Sequence, residues 1–162
     1  MKKPSEIKTA KAKKAWFLPS SMAAMTLFGT IYCHSKRRVD EINKTDGIDS
    51  QLESHEIIHV RQAESTSDSW FVFYLKYVWQ WVKNLPLLFV NASAPYKFIS
   101  FELEAHRHQD DWEYCVGKCE RWKKYGKLNL REKRILAKDY YHNAVKPYFT
   151  DFIKNKIDPI IR

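Results

Sequence analysis

The stretch that most constrains this chain is SHEIIHVRQAE, residues 54 to 64, where two histidines stand four apart and a glutamate directly follows the first. It holds no glycine or proline. Leu52, Ile57, Ile58 and Val60 extend a helical pattern, so the spacing predicts one helix to about Glu64. Ser50 is placed to cap it, with Glu53 three residues on to complete a capping box. On such a helix His55 and His59 are one turn plus about 40° apart and project from one face, so both imidazoles can converge on one ion. Glu56 lies about 100° round from His55, beside the metal rather than on it and within reach of a water.

This is the chemistry of HExxH, which draws two neutral nitrogen ligands and a general base from five residues. Zinc also needs a third protein ligand and an open position. ISFELEAHRHQDDWEY, residues 99 to 114, offers Glu102 and Glu104 near a helix start, with His106 and His108 behind them. Two residues apart on a helix the two glutamates face different ways, so one of them binds. His106, His108 and Tyr114 are candidate oxyanion partners on this later helix.

Here the chain resembles a family. HExxH followed some forty residues later by a glutamate at the start of a helix is similar to the small gluzincin-type zinc metallopeptidases. HEIIHVRQ with the downstream ISFELEA resembles more closely the small HExxHxxQ and ISFExEA proteins of gut bacteria and their phages. The resemblance covers roughly residues 22 to 125. It implies Zn2+ held by His55, His59 and Glu102, Glu56 as the base, Gln62 bonded behind a ligand, and a peptide or protein substrate. Where a related pattern has aspartate four residues after the third ligand, this chain has His106.

Charge adds a second feature. Against 19 acidic residues stand 28 Lys and Arg, a net charge of +9, concentrated in residues 1 to 14 and in Lys118 to Lys138, where nine basic residues face Glu120 and Glu132. Such a field suits a solvated helix face, an anionic membrane surface or nucleic acid. Three cysteines form no disulfide framework, which favours a reducing compartment. Cys115 and Cys119 read as one face of a helix, and Cys33 beside His34 is a weaker metal pair.

Two apolar runs bear on membranes. Residues 15 to 33 follow a basic start, but Pro19, Gly29, two serines and two threonines dilute them below a spanning helix or signal peptide. Trp70 to Val90 is richer in aromatics, yet Lys76, Gln80 and Lys83 form a polar stripe and Pro86 ends it. A core helix, with Trp70, Trp79 and Trp81 inside, or a helix lying in a membrane interface fits this pattern. The expected location is cytoplasmic or peripheral to a membrane.

The predicted architecture is mainly α (α+β), zincin-like, with one or two short strands before the HExxH helix. Residues 1 to 14 read as a flexible basic arm and residues 15 to 162 as a single domain, of which 126 to 162 are a basic helical extension. Met25 to Tyr32 reads as a strand with Gly29 as a bulge. SKRRVDEINKTDGID reads as a polar connection, residues 101 to 125 as a long helix, and residues 129 to 143 as another.

Overall fold

A computed structural model describes residues 2–7, 11–18, 24–44, 51–117 and 119–161, leaving aside the Cys115 side chain. Ser50, the expected cap, and Lys118 lie outside the described residues. The fold is mainly α with a small sheet. Three strands, where one or two were expected, precede the HExxH helix: β1 (Lys11–Lys14), β2 (Ala24–Leu27) and β3 (Thr30–Cys33). The helices are α1 (Lys36–Asn43), α2 (Gln51–Ser65), α3 (Trp70–Asn84), α4 (Ala94–Lys97), α5 (Ser100–His108), α6 (Trp122–Tyr125), α7 (Leu130–His142) and α8 (Phe149–Phe152). The chain forms two compact units, one of residues 1–72 with 108–119 and the other of residues 73–107 with 120–162.

In the first unit the sheet order is β1-β3-β2, with β3 parallel to β1 and antiparallel to β2. Residues 24 to 33 are thus a hairpin and not the single bulged strand expected. The reason is local: Phe28 and Gly29 have φ of 50° and 77°, and positive φ at both central residues makes the two-residue turn whose twist matches the strands it joins. Pairing sets Ala12 and Thr26 on either side of Ile31, and all three are buried. That is one face of the sheet, and β2 packs with α2.

Residues of the expected basic arm belong to this unit. Lys11–Lys14 form β1, and Asn43 at the end of α1 satisfies the β1 backbone, accepting from Ala12 N–H and donating to its carbonyl, both at 2.9 Å. A side-chain amide thereby does what another strand would do at a sheet edge. Ser5 donates through its backbone N–H and hydroxyl to Asp68 (2.8 and 2.6 Å), which holds the Asp68 carboxyl below its usual range. The segment read as a polar connection contains α1, started by Ser35, whose hydroxyl accepts from Arg38 N–H; its one buried residue, Ile42, is too faint a hydrophobic signal to mark a helix.

The second unit has its core around Leu87, Phe98, Leu103, Tyr125, Leu136, Tyr140, Phe149, Phe152, Ile153 and Ile157. Much of the segment expected as a basic extension is therefore core, because its charges alternate with apolar residues at helical spacing. Asn129 accepts from Glu132 N–H while Glu132 accepts from Asn129 N–H, a capping box that starts α7, the helix expected over residues 129 to 143. Asp158 ties the C-terminal turn back by accepting from Arg107 and from the Tyr125 hydroxyl, each at 2.7 Å. The long helix expected over 101 to 125 is broken. α5 stops at His108, a 3-10 turn spans Trp112–Val116 with Asp111 accepting from Tyr114 N–H, and α6 follows. Asp111 competes for the backbone there, as short acidic side chains do.

Trp70 is buried as expected, whereas Trp79 and Trp81 are exposed. Among the described residues no helix is long and apolar enough to cross a membrane. A Cβ on Gly29 would overlap the Ile7 side chain and strain a left-handed backbone. Gly29→Ala is expected to lower the unfolding free energy by about 1–3 kcal/mol, read by urea denaturation; an unchanged midpoint would show that this turn does not adopt the positive φ described.

Candidate metal centre

α2 is buried from Glu53 through Val60, so its polar side chains must find partners inside the protein. His55 and His59 sit on successive turns with ring centroids 4.9 Å apart and planes at 84°. Nδ1 of His55 lies 3.3 Å from Gln109 Oε1, and Nδ1 of His59 lies 2.8 Å from Gln62 Oε1. An amide oxygen only accepts, so each Nδ1 carries the hydrogen and donates. A neutral ring held in this way has its lone pair on Nε2, the tautomer that suits metal binding.

Gln62 is fixed in turn by its backbone, whose carbonyl accepts from the hydroxyls of Ser65 (2.9 Å) and Thr66 (2.7 Å). Gln62 thus stands one turn along α2 against the Nδ1 side of His59. Glu56, buried on the neighbouring face of α2, accepts at Oε2 from the Thr26 hydroxyl of β2 at 2.6 Å. A hydrogen bond to a carboxylate contributes about 1.5–3 kcal/mol and sets its orientation. Burial, reinforced by the negative charge of Glu56, pushes the thiol of Cys33 on β3 up to about 11.

The second unit holds Glu102, Glu104 and His106. Glu102 on α5 is fully buried and accepts from the Tyr77 hydroxyl at 2.6 Å. Burial, and then the Glu102 charge, raise the Tyr77 phenol well above its usual range, so it stays protonated and donates. His106, one turn beyond, brings Nε2 to 3.9 Å from Glu102 Oε2 and sets its ring edge-on to Phe149. Glu104 has different work: its carboxylate accepts from Arg121 N–H at 2.6 Å at the start of α6. The two glutamates are thus distinguished by what they bond.

His108 and Tyr114, both candidates for oxyanion contact, stack face to face at 3.7 Å in the first unit, and Tyr114 lies in the 3-10 turn rather than on a helix. Cys119 is buried and does not share a helix with position 115, whose side chain lies outside those described. His34 Nδ1 donates to the Leu18 carbonyl. Thr26, Gln109 and Tyr77 are the partners that sequence reasoning missed. Each bonds across 25 to 54 residues of chain, and no motif links such positions.

Comparison with protein-family models, with curated proteins and with solved structures finds no match for this chain. Removing the hydroxyl that Glu56 depends on leaves a buried carboxylate short of a donor. Thr26→Val is expected to cost about 1–3 kcal/mol of stability and Thr26→Ser to recover most of it; equal stability of all three proteins in denaturant titration would rule the bond out.

Proposed function

We propose that the protein is a zinc-dependent hydrolase of peptide bonds, with His55, His59 and Glu102 as ligands and Glu56 as the general base. The observation that carries this reading is the pair of imidazoles on successive turns of α2, each with Nδ1 set against a glutamine oxygen, an arrangement that in a neutral ring puts the lone pair on Nε2. Two neutral imidazoles and one carboxylate are a donor set suited to zinc with an open position. Zinc, when bound, supplies Lewis acidity that polarises a carbonyl and brings the pKa of water towards ~7.

The protein's own residues do the rest. Glu56, oriented through Oε2 by Thr26, takes a proton at Oε1 and returns it to the leaving amine. Gln62 and Gln109 keep the ligand rings in one tautomer and one orientation. Tyr77 holds one oxygen of Glu102, with His106 on the side of the other. β2 is a terminal strand of the sheet, and an extended peptide added along it would run beside the strand that orients the base.

Elemental analysis of the purified protein tests the metal: about one equivalent of zinc is expected, and none in His59→Ala. Glu56→Gln is expected to retain zinc and lose at least ~100-fold in hydrolysis of an unstructured peptide library. A zinc-free native protein, or full activity in Glu56→Gln, rejects the proposal.

A second reading concerns partners. Leu75, Val78, Trp79 and Val82 form an exposed stripe at helical spacing on α3, continued by Leu88 and Phe89 in the following turn. Lys76 and Lys83 flank it, and Gln80 is turned inward to accept from the Ser100 N–H and hydroxyl. Aromatic and aliphatic side chains beside lysines, on a chain of charge +9, suit the interface of an anionic membrane. Flotation with phosphatidylserine vesicles is expected to carry the protein and to lose it with Trp79→Ser combined with Phe89→Ser; indifference to these changes would exclude the stripe as the contact.

A further inference from the structure

The run of lysines after Cys119 has a counterpart in space. Lys83 on α3, Lys123 on α6, Lys127 just beyond it and Lys133 on α7 line one pocket of about 430 Å3, and Asn84 and Trp122 are among its other walls. Among the described residues no carboxylate lines it. Its volume is within the range of small-molecule sites, which start at about 300 Å3.

Lys133 is the group that asks for a ligand. Its side chain is more than nine-tenths buried, and its ammonium donates to Asn84 Oδ1 at 3.1 Å. Asn84 is itself held by donating to the Pro95 carbonyl, so it presents its oxygen to the lysine and cannot neutralise the charge. A buried ammonium facing a neutral amide is costly unless an anion completes it. Burial, with Lys83 adding to it, pushes the Lys133 ammonium down to about 8. Of the other lysines, Lys123 reaches Glu120 at 2.9 Å outside the pocket, and Lys83 lies 5.9 Å over the Trp79 ring.

We propose that this pocket binds a phosphoryl group, carried by a soluble phosphorylated molecule or by a lipid head group. Several ammonium groups around one concavity focus a positive field. Lysine meets phosphate as a point charge with three rotatable donors, and a phosphoryl group offers several acceptor oxygens, so it can meet Lys133 and a second lining lysine at once. The site lies wholly in the second unit and is independent of the zinc proposal.

The test is calorimetric titration of inorganic pyrophosphate into the full chain and into Lys133→Met, Lys127→Gln and Lys138→Met, the last an exposed lysine of α7 outside the pocket. One equivalent bound, weakened about tenfold or more by Lys133→Met and several-fold by Lys127→Gln but unchanged by Lys138→Met, supports the proposal. Absence of binding to both pyrophosphate and phosphatidate vesicles overturns it, as does an equal loss in all three variants, the behaviour of a diffuse surface for nucleic acid. Phosphatidylcholine vesicles with and without phosphatidate separate the sources. Phosphatidate-dependent binding that Lys133→Met weakens assigns the lipid head group, and pyrophosphate binding without it assigns a soluble ligand.

Discussion

The burial of a polar helix is the constraint on which the rest depends. α2 places His55, Glu56, His59 and Gln62 out of water, and each such group costs several kcal/mol if left without a partner. The first unit is arranged to meet that demand. The sheet supplies Thr26 to Glu56, the turn of α2 itself supplies Gln62 to His59, and Gln109, beyond α5, supplies His55. Such a network orients its members as well as stabilising them, which is what a site needs before any ligand arrives.

Register in the sheet decides which residue serves Glu56. The two-residue turn at Phe28 and Gly29 sets Thr26 opposite Ile31, on the buried face. A slip by one residue would present Met25 or Leu27 instead and leave the carboxylate facing a thioether or an alkyl chain. The turn is therefore tied to Glu56 through the strand register and the Thr26 hydroxyl, although it carries no chemistry of its own.

The basic segment makes a different point. Composition marks residues 118 to 138 as a charge run, yet Leu128, Leu136 and Ala137 inside it are buried and help to build the second core. The lysines between them are sorted by helical geometry. Lys138 is left in solvent, and Lys133 is turned inward against Asn84. A run that looks uniform along the chain becomes two populations in space, one solvating the helix and one lining a concavity.

The helices α2 and α7 and the like-facing pair His55 and His59 were legible in the sequence, because each depends on residues within about one turn of one another. The hairpin was within reach for the same local reason, and was hidden because Phe-Gly is a less familiar turn pair than Asn-Gly. The break at Asp111 was hidden by an apolar pattern that continues across it. What only the tertiary structure decided is which side chains complete the buried ones: Thr26 for Glu56, Gln109 for His55, Tyr77 for Glu102, Asn84 for Lys133. These pairs are chosen by packing between elements far apart in the chain, and a buried polar group accepts whichever donor the packed fold brings to it.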